Sequence, residues 1–185
     1  MSLFVFRRAV LALVLLVPLS SFAEERIAAS FGDWSKICSP VDSPLGNSEI
    51  CQLSQTVNQS ESGKRLFQTT IGYVPEYDTP VIFMTAPLGM YLPRGITLEL
   101  TKDTLMSAVV QRCDANGCLA VTPIDPEFLA AMKAGKEARM IFGATAEQNM
   151  AVPLSLMGFT DGIASLEKPA APAAEETQPA ESTAP

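Results

Sequence analysis

Residues 51–58 read Cys51-Gln52-Leu53-Ser54-Gln55-Thr56-Val57-Asn58. Cys51, Leu53, Gln55 and Val57 alternate with Gln52, Ser54, Thr56 and Asn58. A period of two puts successive side chains on opposite faces, which is the pattern of a half-buried β-strand. Phe67, Thr69, Ile71 and Tyr73 repeat it, and Ile96, Leu98 and Leu100 do so against Thr97, Glu99 and Thr101. Residues 81–86 and 105–113 read as further strands. Asp114-Ala115-Asn116-Gly117 reads as the turn of a hairpin, because Asn and Gly tolerate positive φ. Short strands separated by turn signals predict a mainly β fold: an antiparallel β-sandwich or barrel-like domain with one or two short helices.

One helix is well signed. Asp125 can cap it, Pro126 suits its first position and Gly135 suits its exit, so Phe128, Leu129 and Met132 share the buried face. A second helix is expected over residues 155–166, where Leu156, Phe159, Ile163 and Leu166 fall at helical spacing. Gly158 and Gly162 weaken it, so it depends on packing against the sheet.

Four cysteines staple this domain. Cys38 and Cys51 enclose 12 residues, and Cys113 and Cys118 enclose four. Three pairings are open in principle. Short loops behind an export signal favour the local ones, Cys38 with Cys51 and Cys113 with Cys118. The spacing does not fit a redox Cys-x-x-Cys pair, and exported thiols pair with each other more often than they hold zinc.

The export signal is residues 1–23. Arg7 and Arg8 close a basic stretch, residues 9–17 are an unbroken apolar run, and Ser21-Phe22-Ala23 presents small residues for cleavage between Ala23 and Glu24. The run is short for a membrane span and no second one follows. The expected location is the periplasm, with outer-membrane association or secretion as alternatives. Cleavage leaves 162 residues for residues 24–167, a single domain with its own core, and for the tail at 168–185. That tail is Ala, Pro, Glu, Thr, Ser and Gln almost throughout, and reads as disordered. Cleavage also removes two arginines and no acid, taking the formal charge from −7 to −9. An acidic chain without a basic cluster is a poor partner for nucleic acid.

Catalytic signals are sparse. The chain has no histidine, which removes Ser-His and Cys-His nucleophile pairs and imidazole metal sites. Asp33, Asp42, Glu49, Glu76, Asp78, Glu99, Asp103, Asp125 and Asp161 could supply a carboxylate pair, yet none sits in a recognisable glycosidase setting. The methionines are scattered singly through apolar segments, which suits core filling better than a copper site. No catalytic residue, metal or cofactor is expected.

Several apolar turn motifs remain. Phe31-Gly32-Asp33-Trp34 precedes Cys38; Pro87-Leu88-Gly89 and Leu92-Pro93-Arg94-Gly95 follow. Next come Cys113 with Asn116-Gly117-Cys118, and finally Pro153-Leu154-Ser155-Leu156-Met157-Gly158-Phe159. In this order they resemble the invasion-associated locus B family of bacterial exported proteins, over about residues 31–166. The resemblance implies a small, mainly β envelope domain of a Gram-negative bacterium, with a role in host-cell entry and no established enzymatic activity. Trp34, Pro87, Gly89, Pro93, Gly95, Gly117, Gly158 and Phe159 are then framework residues, with Trp34 a core anchor and the glycines setting turns.

Tyr73, Tyr77, Tyr91 and Arg94 are the candidate binding-loop residues, since aromatic and Arg side chains serve as contact anchors and Pro75, Pro80 and Pro93 stiffen their loops. The expected function is a non-catalytic envelope protein that binds an envelope or host-surface protein and contributes to host-cell interaction or invasion. A periplasmic maintenance or assembly factor is the alternative, and a carboxylate-dependent hydrolase a third.

Overall fold

A computed structural model describes residues 26–43 and 46–166, with side chains at 41–48 left out of the description. The expected export signal and the expected disordered tail lie outside the described residues.

Among the described residues, eleven strands form two antiparallel sheets. The larger sheet is ordered β1 (Arg26–Phe31), β2 (Trp34–Ser43), β3 (Gly46–Asn58), β4 (Arg65–Gly72), β5 (Val81–Ala86), β9 (Gly117–Pro123), β8 (Val110–Asp114). The smaller is ordered β11 (Asn149–Ser155), β10 (Glu137–Gly143), β6 (Ile96–Thr101), β7 (Thr104–Ala108). Register explains the core. Leu53, Ile71 and Ile82 face one another across β3, β4 and β5, and Thr69, Met84 and Ala120 form the next row. Ile96 and Leu98 pair with Phe142 and Met140 on the smaller sheet, backed by Val152 and Leu154. All of these are buried, the apolar ones in one cluster, so the two inner faces close on each other as a sandwich.

Two expectations are corrected. The strand expected over residues 105–113 is two strands, broken at Val109: β7 ends in the smaller sheet and β8 begins in the larger. Val109 is exposed where the chain crosses between layers, so an apolar run here marks a corner and not a continuous strand. The helix expected over 155–166 is only α2 (Phe159–Ala164). Ser155 still belongs to β11, and Gly158 takes a left-handed conformation (φ 84°) that starts the helix instead of weakening its middle. Apolar residues at 156 and 159 are buried from a strand end and a helix start, which mimics helical spacing.

The first helix is α1 (Pro126–Ala134), capped as expected: the Asp125 carboxylate accepts from the Glu127 N–H at 2.8 Å, and Phe128 and Met132 are buried. Gly135 ends it with an ordinary negative φ; its lack of a side chain matters because a Cβ would stand 3.0 Å from Leu156 Cδ1. At the hairpin turn only Gly117 has positive φ, while Asn116 stays in the negative region and donates its N–H to the Asp114 carboxylate.

Both disulfides join directly opposed residues of a hairpin, Cys38 with Cys51 and Cys113 with Cys118. Register alone brings each pair together, so the bridges restrict the unfolded chain more than they shape the folded one. Loop-closure entropy gives each roughly 2 to 3 kcal/mol. Cys118→Ser should therefore lower unfolding free energy by about 2 kcal/mol, read by denaturant melting under non-reducing conditions. An unchanged midpoint would show that the Cys113–Cys118 bridge adds nothing to stability.

Candidate functional site

Three connections of the larger sheet meet at one end: the β3–β4 turn, the exit of β5 and the β8–β9 turn. Ala86 opposite Cys118 and Gln68 opposite Thr85 place them there. Between them is an open cleft of about 630 Å³, lined by Lys64, Arg65 and Leu66, by Thr85 through Leu88, and by Ala115 through Gly117. Its floor is tight. A Cβ on Gly117 (φ 129°) would lie 2.5 Å from the Ala86 carbonyl oxygen, so only glycine lets the hairpin sit against β5. Arg65 ties the two flanks by donating to the Asn116 carbonyl and, at 2.7 Å, to Gln68 Oε1.

Pro87 and Leu88 lead from this cleft into the loop that carries the chain to the smaller sheet. Gly89 (φ 89°) turns it, Met90 is buried beneath it, and Leu92–Arg94 forms a single 3-10 turn containing Pro93. The loop is pinned at several points. The Tyr91 N–H donates to the Gly143 carbonyl at 2.8 Å, and the Arg94 guanidinium donates to the Ala146 carbonyl. Gly95 (φ 63°) lies so close to β7 that a Cβ would be 2.4 Å from the Ala108 oxygen. On this braced loop Leu88, Tyr91 and Leu92 are 59%, 38% and 47% exposed.

The four candidate contact residues separate into two pairs. Tyr91 and Arg94 share the braced loop, Tyr91 with its ring exposed and Arg94 with its guanidinium engaged. Tyr73 and Tyr77 lie in the β4–β5 connection, at the other end of the six-residue β5, about 20 Å away at the usual rise per residue. Tyr73 is half-buried against the core and Tyr77 is exposed. Leu88 and Leu92 join Tyr91 as exposed side chains, and no sequence signal marks them as such, because an exposed and a buried leucine look alike there.

The framework motifs around Trp34 and Phe159 have a different task, although Trp34 and its partner Ser155 are 121 residues apart in the chain. Trp34 is fully buried, packs against Phe159 with ring centroids 5.3 Å apart, and donates its indole N–H to the Ser155 carbonyl at 2.9 Å. Gln55 holds both backbone groups of Ser155: its amide donates to the carbonyl and its Oε1 accepts from the N–H, each at 3.0 Å. One side-chain amide thus continues the smaller sheet's edge onto the larger sheet. The turns interlock too. The Asp33 N–H donates to the Met157 carbonyl, a Cβ on Gly32 would stand 2.5 Å from that oxygen, and one on Gly158 would stand 2.1 Å from the Phe31 oxygen. Gln55 and Ser155 carry no local signal, because their partnership exists only after both sheets have formed.

Chemically, the cleft offers two cations, backbone groups and apolar surface, and its lining contains no carboxylate. Two-carboxylate hydrolysis therefore has no pair in it. Cys38, Cys51 and Glu49 bring ligand-type atoms within 4.8 Å of one another, but both sulfurs are committed to the disulfide and offer no thiolate to a metal.

These features define a class: a disulfide-stapled β-sandwich domain with a braced, loop-built surface at one end. The chain belongs to the invasion associated locus B (IalB) protein family, whose model matches residues 34–167. It is 24% identical over 131 residues to the invasion protein B homolog of Brucella abortus (strain 2308), covering 70% of this chain and 73% of that protein. The homolog from Brucella abortus biovar 1 (strain 9-941) matches equally. The crystal structure of invasion associated protein b from Bartonella henselae superposes with a TM-score of 0.61 at 17% identity, over 78% of this chain and 93% of that one, and supports the fold.

Proposed function

We propose that this chain is an exported, non-catalytic envelope protein that binds a protein or surface component through residues 87–95 and the adjoining cleft. Leu88, Tyr91 and Leu92, exposed on a loop held by Gly95 and Arg94, carry this reading. Apolar and aromatic side chains on a braced loop lose little entropy when a partner covers them, which is what a contact anchor needs. The export signal at residues 1–23 and two disulfides fit the periplasm or the cell exterior. The relatives' names carry the word invasion, and in a host-associated bacterium the partner is a host-surface or envelope protein.

Strand addition to a client, the route for an assembly factor, finds less support. β1 and β8 carry register shifts and β11 carries Pro153, devices that blunt sheet edges.

Crosslinking in intact cells with mass spectrometry of the captured material tests the proposal. The pair Tyr91→Ala and Leu92→Ala should cut recovery of the captured partner about tenfold or more, the loss expected when contact anchors are truncated. Melting should stay within about 0.5 kcal/mol of the parent, since both side chains are on the surface. Unchanged recovery would reject residues 87–95 as the contact surface. Capture of many nascent outer-membrane proteins would instead identify an assembly factor.

A further inference from the structure

The cleft is a positive spot on an acidic chain. Lys64 and Arg65 are the only adjacent pair of cations after residue 23, in a chain whose formal charge is −7. No acid occurs from residue 62 to 75 or from 79 to 98, the stretches that supply two of the three flanks of the cleft. Residues 115–117 are the third flank. Asp114 beside them is turned into its own hairpin, where its carboxylate accepts from the Asn116 N–H at 2.7 Å. Among the described residues the ion pairs join Arg26 to Glu49 and Arg139 to Glu99, and neither cleft cation takes part in one.

Arg65 is aimed as well as charged. Its guanidinium donates to the Asn116 carbonyl and, at 2.7 Å, to Gln68 Oε1. Both acceptors are neutral, so the group is held across the cleft with its charge uncancelled, and most of its N–H donors remain for a ligand. Lys64 is exposed beside it and, among the described residues, bonds only through its backbone.

We propose that the cleft takes the carboxylates of an acidic peptide segment of the partner, with the segment's apolar residues along Leu88, Tyr91 and Leu92. This rests on the binding role proposed for residues 87–95. A planar guanidinium matches a carboxylate two bonds at a time, and such charge-assisted bonds are the stronger ones. Leu66, Ala86 and Leu88 line the same cleft and lower the local polarity, which strengthens the attraction. Size and charge favour a peptide over a membrane. About 630 Å³ suits a few side chains. At physiological salt the screening length is about 8 Å, so a short segment in the cleft feels chiefly the two cations. An anionic bilayer would also face the acidic surface around them and be repelled.

Selection from a display library of short random peptides tests this, using the processed protein purified from exporting cells with its disulfides intact. Peptides recovered on the parent should carry adjacent Asp or Glu beside Leu, Phe or Tyr. Synthetic copies of them should bind Lys64→Glu at least about tenfold more weakly, and should weaken on the parent as NaCl is raised. Arg65→Lys keeps the charge but loses the fork, and should still weaken binding several-fold. Lys102→Glu makes the same charge change beyond the far end of β6 and should alter binding less than about twofold. Absence of acid enrichment, equal loss from Lys102→Glu, or binding of phosphatidylglycerol vesicles in place of peptides overturns the proposal. Capture in intact cells separates it from the reading it rests on. If Tyr91→Ala with Leu92→Ala cuts recovery of the partner and Lys64→Glu does not, the loop is the contact surface and the acidic segment is wrong. If neither cuts recovery, both fall.

Discussion

Trp34→Ala should cost about 3 to 5 kcal/mol, the range for deleting a large buried aromatic. Trp34 is fully buried at the start of β2, its ring is tilted 55° against Phe159, and its N–H holds the Ser155 carbonyl. Truncation opens a cavity where β2, β11 and α2 converge, and it loosens the bond between the sheets. Domain stability is typically about 5 to 15 kcal/mol, so the variant stands near the limit of folding. Urea unfolding followed by far-ultraviolet circular dichroism measures it; fluorescence cannot serve, because Trp34 is the sole tryptophan. Trp34→Phe should cost clearly less, since it keeps a ring in the site and Gln55 still donates to the Ser155 carbonyl. A loss below about 1 kcal/mol for the alanine variant would mean the site collapses freely and Trp34 anchors nothing.

Gly158→Ala should cost about 3 kcal/mol or more, from two separable sources. The first is conformational: an L-residue at φ 84° costs roughly 1 to 2 kcal/mol. The second is contact. The added Cβ would meet the Phe31 oxygen at 2.1 Å and the Gly32 nitrogen at 2.7 Å, and backbone in an interlocked turn cannot step aside as a flexible side chain would. Such overpacking costs about 1 to 3 kcal/mol. Gly89 provides the control, with a similar φ of 89° and no atom within 4 Å of its would-be Cβ. Gly89→Ala should therefore show the conformational cost alone, about 1 to 2 kcal/mol. Equal midpoints for the two variants in denaturant would show that the Phe31–Gly32 and Met157–Gly158 turns do not clamp each other.

The two sets of motifs consequently serve different ends. Phe31-Gly32-Asp33-Trp34 and the segment from Pro153 to Phe159 fasten the sandwich, and neither contributes to the cleft. Pro87-Leu88-Gly89 and Leu92-Pro93-Arg94-Gly95 form the exposed loop, with Gly117 letting the neighbouring hairpin close against it. The fastening explains how so small a domain holds a loop rigidly. The loop's other end is tied to β7 and to the β10–β11 turn, both in the smaller sheet, so any slip between the layers would be felt there.

Much of the fold was legible from local rules. Alternation at 51–58, 67–73 and 96–101 marks strands because side-chain period alone decides which face an apolar residue takes. Asp125 and Pro126 announce a helix because capping acts over three residues. Short spacing favours the local disulfide pairing over the two others, and strand pairing fixes it by setting each cysteine opposite its partner. β10 could also have been found: Ala138, Met140 and Phe142 are buried in alternation with Glu137, Arg139 and Ile141. Strand β1 could not, because it is an edge strand with four of its six residues exposed, none buried, and no apolar face to betray it.

What tertiary structure alone decided is the partnership of distant parts. The break at Val109 depends on which sheet each flanking strand joins, and Ala108-Val109-Val110 is apolar without interruption in sequence. The Gln55–Ser155 bonds span 100 residues, and neither residue type signals a fixed partner. Tyr73, Tyr77, Tyr91 and Arg94 look equivalent along the chain, yet β5 lies between the two pairs. Sequence determines local conformation because its causes act within a few residues. Which turns interlock and which loops meet depend on packing between layers, where the energy comes from shape and burial shared by residues far apart in the chain.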